Sequence, residues 1–284
     1  MSSYRFCRTD DIGLLVDALN RCWLPYFPDE GPMTPAAFKR SIRDLQVWCS
    51  SCMVAFSGSD PIGVLIGAKR PSGTLVQTLA VHPDHRRQGH GRHLLASLGS
   101  KLAILGPPRI AAEVPETLAP ACELFGASGY VQEALLTDYV SQRAADDSET
   151  RQGFVIPVTV DDLAANDLLG QVQPQVCWNR SVETLTARKD EIAGLAVASD
   201  ERIEACILYV MNGIKETEVL SLRSFIEDGG ARLKQLLSQL HVRGVETFRF
   251  PKVHPAEIST EWLETLGFRA AGRHLLYAAK ARSD

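Results

Sequence analysis

The sequence contains no apolar run of 18 residues, so no stretch of it has the length and character of a membrane-spanning helix. Its first residues, MSSYRFCRTDD, lack the basic-then-apolar order of a secretory leader, and the expected location is cytoplasmic. A basic surplus is missing too. Thirty Lys and Arg against 34 Asp and Glu leave a formal charge of −4, whereas a polyanion binder needs a net-positive face, so nucleic acid is not an expected partner. Of seven cysteines, only Cys49 and Cys52 have metal or redox spacing. No second close pair completes a four-ligand site, so reduced structural thiols and no metal are expected. His82, His85, His90 and His93 crowd one segment, but three of them fall in a turn without ligand spacing. The Gly-x-Gly-x-x-Gly dinucleotide fingerprint is also absent. What is present is ordinary globular material: 284 residues, 45% hydrophobic, enough for two cores.

The chain repeats itself in order. VAFSGSDPIGVLIGA from Val54 aligns with LAVASDERIEACILY from Leu195, and Leu79 falls on Leu220. QGHGRHLLASL meets DGGARLKQLLSQL with Gly89 on Gly229, LFGASGY meets WLETLGF with Gly129 on Gly267, and Tyr139 meets Tyr277. Five segments kept in sequence imply a tandem repeat of one domain. The polar stretch from Val140 to Gly153 suits a connection. The expected division is therefore a domain over 1–144, a linker over 145–153 and a second domain over 154–284. Each copy reads as a strand, a helical region (with Thr9 as the first cap), three strands, a glycine turn and helix, a fifth strand, a shorter helix and closing strands. That order predicts an α/β fold in which each domain is a mixed, mostly antiparallel sheet flanked by helices.

The turn in the first copy is the chemically pointed part. Leu75, Leu79 and Val81 end an apolar strand, and Leu94, Leu95, Leu98 and Leu102 form one face of the next helix. Between them lies Arg86-Arg87-Gln88-Gly89-His90-Gly91-Arg92. A helix start leaves amide N–H groups without internal partners and carries partial positive charge. Glycine lets an anion approach that backbone, so the turn suits a diphosphate.

Arg86-x-x-Gly89-x-Gly91 after a strand, with AVHP before it and ELFGASGY after it, resembles the GCN5-related N-acetyltransferases (GNATs). The resemblance spans nearly all of the first half and, more faintly, the second. It implies acetyl-CoA as co-substrate, with the pyrophosphate at Arg86, Arg87, Gln88, Gly89, His90, Gly91 and Arg92. Backbone groups of Leu79 and Val81 would meet the pantetheine arm. It further implies an N-acetyltransferase in which a small-molecule or peptide amine attacks the thioester directly. A non-catalytic acyl-CoA-binding or regulatory protein is the alternative. Either a monomer or a homodimer is compatible with two fused copies. Mycothiol synthases have a similar tandem architecture, but the intact motif here is N-terminal, so their substrate is not carried over.

Many family members keep a basic carboxylate on the fourth strand, and TLVQTLAV has none. The ribosomal-protein alanine N-acetyltransferases instead carry a fifth-strand Glu followed at a fixed spacing by a proton-donating Tyr. At that spacing this chain has Glu113 and Phe125. Glu113 is the candidate general base, with a strand-edge surface Glu as the other reading, and the acid is unassigned. For Tyr130 and Tyr139, buried packing is expected. Asn20 to Thr34, with Trp23, Tyr26, Phe27, Asp29 and Glu30, falls where the family covers its acceptor; a proline-broken loop packed on the core fits equally.

The second copy departs at each of these places. Glu227 and Asp228 stand where a diphosphate would come, Ile226 replaces Arg86, and Pro251 occupies the base position. This half is expected to keep the fold without the cofactor.

Overall fold

The computed structural model describes residues 2–142, 154–170 and 176–281. Two compact units divide the chain, one made of 1–134 with 275–284 and the other of 135–274. The expected linker, 145–153, lies outside the described residues.

In the first unit the strands are β1 (Ser2–Phe6), β2 (Met53–Ser57), β3 (Asp60–Arg70), β4 (Gly73–Val81) and β5 (Arg109–Pro115). They lie side by side in that order, antiparallel until β4, which runs parallel to β5. Helix α1 (Ile12–Cys22) buries Leu15, Val16 and Leu19, the face their spacing predicts, and packs on β3. It starts two residues later than a Thr9 cap would set it. Asp11 stands at the cap position, where its carboxylate accepts from the Arg8 amide (2.7 Å) and the Arg5 guanidinium (2.9 Å). Helix α2 (Pro35–Leu45) is capped by the Thr34 hydroxyl, which accepts from the Ala37 amide at 3.1 Å. Helices α3 (His90–Leu105) and α4 (Ala119–Ala127) share one core with β5: Leu94, Leu95, Leu98 and Leu102 meet Ile110, Ala112, Val114 and Phe125.

Strand β6 (Val131–Gln142) leaves the first unit after Ala134. The strand beside β5 is instead the end of the chain, Leu275–Lys280 of β12 (Arg269–Lys280), and Tyr277 enters the first core. The units thus divide at 134/135 and 274/275 rather than near 144 and 154, because the last strand of each copy completes the sheet of the other.

The second unit contains β7 (Phe154–Pro157), α5 (Val160–Ala165), α6 (Val182–Ala187), β8 (Ala193–Ala198), β9 (Ile203–Asn212), β10 (Glu216–Ser224), α7 (Ala231–Val242), β11 (Thr247–Val253) and α8 (Thr260–Thr265). Its strand order is β6-β11-β10-β9-β8-β7, with β10 parallel to β11. Leu233, Leu236, Leu237 and Leu240 of α7 pack on Phe248 and Phe250 of β11. After both α4 and α8 the chain turns at a left-handed glycine, Gly129 (φ 82°) and Gly267 (φ 85°).

The copies therefore match, with two shifts from the sequence alignment, of two residues in the fourth strand and one at the helix cap. Gln77 in β4 and Leu220 in β10 are each left without a cross-strand partner by a bulge. The bulges equate Gln77 with Leu220, and hence Leu79 with Leu222. The turn before β10 is one residue longer than the turn before β4, since Asn212 pairs with Glu216 where Arg70 pairs with Gly73. The helix caps likewise equate Gly89 (φ 86°) with Gly230 (φ 85°).

Candidate functional site

Strands β4 and β5 pair only at Thr74–Ile110 and Leu75–Ala111, and beyond that they part. The parting leaves the far end of β4 with one edge unpaired by strand, a source of free backbone donors and acceptors. Between this edge, α4 and the start of α3 lies a cavity of about 610 Å³. It brings together Leu79, Val81, Arg86, Arg87, Gly89, His90, Gly91 and Arg92. Gln88, in the same turn, is exposed and not part of the lining, and neither is Glu113.

The turn has the shape its sequence suggests and a reason for each glycine. Arg87 (φ 61°) and Gly89 (φ 86°) are both left-handed, which folds successive amides toward one side. A Cβ on Gly89 would meet nothing within 4 Å, so its glycine answers to the left-handed backbone rather than to crowding. Gly91 is different: a Cβ there would sit 2.8 Å from Leu124 Cδ2. Its glycine lets α3 and α4 approach. No side chain caps α3, and the first intrahelical bond is His93 N–H to Gly89 O at 3.0 Å, so among the described residues the amides of His90, Gly91 and Arg92 are left for a ligand. Arg86, Arg87 and Arg92 are exposed, and Arg87 lies 3.6 Å from Glu123. These features fit a diphosphate: donors, open space and surplus positive charge on one wall.

His90 is buried beneath that wall. Its Nδ1 lies 2.7 Å from the Tyr4 hydroxyl, and its Nε2 is buried without a partner. Burial first, then the neighbouring His85 and His93, hold its pKa below the ordinary imidazole value, so the ring is neutral near pH 7. Among the described residues no group of three or more His, Cys, Asp or Glu has metal-binding geometry. All seven cysteines are free, and burial pushes Cys7 up to about 12 and Cys22 to about 11, which makes both poor thiolate nucleophiles.

The Asn20–Thr34 segment does face the cavity. Asn20 clamps it by accepting from the Met33 amide (2.7 Å) and donating to the Met33 carbonyl (3.0 Å). Trp23 stacks on Phe27 at 4.4 Å and donates its indole N–H to Glu30 at 2.8 Å. Tyr26 reaches across the cavity, where its hydroxyl donates to Val81 O at 2.7 Å and the Arg86 guanidinium lies 5.7 Å from its ring centre. Sequence reasoning found the aromatic cluster but not this contact, since nothing in residue spacing ties positions 26 and 81.

Glu113 is half-buried on β5. Its neighbours Ala112 and Val114 join the core with the α3 leucines, so alternation points Glu113 to the opposite sheet face. Phe125 is buried between Tyr130 (5.1 Å, edge-on) and Tyr277 (5.8 Å, stacked). Tyr130 is core, its pKa pushed up by burial. Tyr139 belongs to the second unit, with its hydroxyl 2.8 Å from that of Thr260.

Known proteins agree with this geometry. Residues 15–130 match the model of the Acetyltransferase (GNAT) family. A tandem GNAT protein from the clavulanic acid biosynthesis pathway is similar over 100% of both chains, at 16% identity and a TM-score of 0.67. A GCN5-related N-acetyltransferase from Sphaerobacter thermophilus is similar over 99% of this chain and 96% of its own, at 13% identity and a TM-score of 0.69. One from Anabaena variabilis matches over 99% and 73%, at 10% identity and 0.67. Comparison with curated proteins gave no match. At these identities the structural likenesses establish the fold, and the family match adds the assignment of the first copy. The family match thus covers the first copy, residues 15–130, and the two-copy fold over the whole chain is shared with the tandem GNAT protein. No helix among the described residues is long and apolar enough to cross a membrane.

Proposed function

We propose that the protein is an acyl-CoA-dependent N-acetyltransferase that uses acetyl-CoA and works from its first unit. The uncapped start of α3, opening with three arginines onto a cavity of about 610 Å³, carries this reading. The His90, Gly91 and Arg92 amides receive the diphosphate, with Arg86 and Arg92 adding charge. The parted edge of β4, Leu79 to Val81, hydrogen-bonds the pantetheine arm. Val81 O now accepts from Tyr26, so a cofactor amide taking that carbonyl exchanges with the tyrosine.

When bound, acetyl-CoA supplies the activated acyl group. A neutral primary amine forms the new C–N bond as the C–S bond breaks and the sulfur leaves with the electron pair. Glu113, on the sheet face away from α3, takes the amine's proton directly or through water, a role worth roughly 10²–10⁴-fold. Trp23 and Phe27 offer ring faces to a cationic acceptor before it loses its proton. Water protonates the departing thiolate, because Phe125 has no proton to give.

Phe125, together with the absence of Glu113 from the cavity lining, favours a second reading: a protein that binds acyl-CoA without turning it over. Calorimetric titration tests the shared part. One acetyl-CoA per chain is expected in the wild type, weakened about tenfold or more by the exposed charge reversals Arg86→Glu and Arg92→Glu together. Equal binding to both proteins rejects the site. An amine screen then separates the readings, since only the enzyme releases free CoA thiol, and Glu113→Gln should slow that release without weakening acetyl-CoA.

A further inference from the structure

We infer that the second unit's cofactor cleft is filled by its own side chains, with Asp228 in the diphosphate position and the Arg180–Glu257 pair in the opening between β10 and β11. The inference rests on the first unit's cleft being the acyl-CoA site, because the correspondence is between copies.

At the start of α7 the Asp228 carboxylate accepts from the Gly230 amide at 2.9 Å and the Arg232 amide at 2.8 Å. By the cap correspondence these match the amides of Gly89 and Gly91, and the latter is one that α3 leaves open. An internal carboxylate on a helix start meets the need an external phosphate would otherwise meet, at no cost in association entropy. The nearest arginine is also committed, since Arg232 Nε donates to Glu204 at 2.7 Å.

Deeper in, β10 and β11 part after Glu218–Arg249, as β4 and β5 do. Here the gap is crossed. Arg180 donates to Leu220 O (3.3 Å), the carbonyl of the β10 bulge, and to Lys252 O (3.1 Å) on β11. Both its terminal nitrogens also hold Glu257, at 2.5 and 2.6 Å, and its guanidinium lies 4.5 Å from the Phe250 ring centre. The Arg180 side chain has no exposure. The carbonyl at the β10 bulge, the counterpart of Gln77 O where the parted edge begins, is therefore taken, and the gap beside it is filled. About 350 Å³ remains beside this plug, and its polar groups are spent internally: Ser224 donates to Ile226 O at 2.8 Å, and Ser259 caps Trp262 at 3.2 Å.

The test opens the cleft in full-length protein whose first site is blocked by Arg86→Glu and Arg92→Glu. Arg180→Ala and Glu257→Ala, made together so that no charge is stranded, are combined with Asp228→Gly. Calorimetry should show acetyl-CoA binding regained in the second unit, at least about tenfold tighter than in the unopened background. The same three changes with the first site intact must keep wild-type affinity there, which certifies folding. Absent binding in that folded protein overturns the inference, as does a second equivalent of acetyl-CoA on the wild type. No acetyl-CoA on the wild type at all would instead reject the reading of the first unit. Should the opened protein not fold, Asp228→Gly alone decides: freed α7 amides should gain inorganic pyrophosphate binding, and no gain overturns the claim.

Discussion

In the first unit the helix after the fourth strand starts at Gly89 with three amides and several arginines around a cavity; in the second it starts at Gly230 with Asp228 seated on its amides. The caps have nearly the same backbone, φ 86° and 85°, and both fourth strands bulge and part from the fifth. The fold is the same and the chemistry is opposite. A cleft of this kind presents unpaired backbone, and unpaired buried backbone is expensive. The first unit has no side-chain cap on the start of α3, beside the cavity. The second meets that demand with Arg180, Glu257 and Asp228, side chains that no ligand has to bring. The second unit thus has an ion pair between its fourth and fifth strands where the first has space.

The largest expected effect follows from that filling. Arg180→Ala removes the guanidinium from which both Glu257 oxygens accept, in a site where the arginine is fully buried and the carboxylate side chain 8% exposed. Breaking such a pair costs about 3–5 kcal/mol, whereas replacing both partners, Arg180→Met with Glu257→Leu, should be close to neutral. Urea unfolding followed by fluorescence checks both. If the double variant is destabilised as much as the single one, the pair is acting through packing rather than charge. No substitution of Arg86 should come near this effect, because that side chain stands in solvent.

Phe125→Tyr probes the position where the family resemblance leads one to look for an acid. The ring is wedged among Tyr130, Tyr277 and the α3 leucines, so a hydroxyl there enters apolar surroundings, at a cost of about 1–3 kcal/mol. Stability should fall and the rate of amine acetylation should not rise. A rise in rate would mean the tyrosine turns into the cavity and that the first unit lacks only this group.

The features of the two copies differ in how far the sequence revealed them. The glycine turn, the α3 leucine face and the repeat itself were legible, because each is written in local spacing: a helix period, a strand end, two glycines. The exchange of last strands was not. LLTDYV and HLLYAA carry the same alternation, so either could complete either sheet, and only three-dimensional contacts decide. The plug was hidden for a similar reason. Arg180 lies in a short turn before α6, and its partners Leu220, Lys252 and Glu257 come from three later segments with no periodic relation to it. Glu227 and Asp228 were visible as acids in the wrong place, but the sequence suggested repulsion of a phosphate. The structure shows Asp228 accepting from two amides at the start of α7.

A smaller effect belongs to Tyr26, which holds Val81 O in the first unit much as Arg180 holds Leu220 O in the second, though from an exposed position. Because it must let go for a cofactor amide to bind there, Tyr26→Phe removes a competitor. A net hydrogen bond is worth about 0.5–1.5 kcal/mol, so acetyl-CoA affinity should improve by roughly two- to tenfold by calorimetry. Weaker binding instead would mean that the hydroxyl contacts the cofactor itself. Arg180 admits no such exchange without its carboxylate partner, which is the difference between a latch and a plug.

The mildest contrast concerns protons. His90 sits under the open helix start with its pKa lowered by burial and by His85 and His93. The folded state therefore favours the neutral ring, and its contribution to stability is present above the unfolded imidazole value of about 6.5 and is lost as pH falls below it. In the second unit His254 is also lowered by burial, but Glu257 partly offsets the shift, so its share of the acid sensitivity should be less. Stability measured from pH 7.5 to 5 should fall less steeply in His90→Phe than in the wild type, and the corresponding change at His254 should flatten the curve less. Equal flattening by both would show that the two units differ in their ligands but not in how burial tunes their histidines.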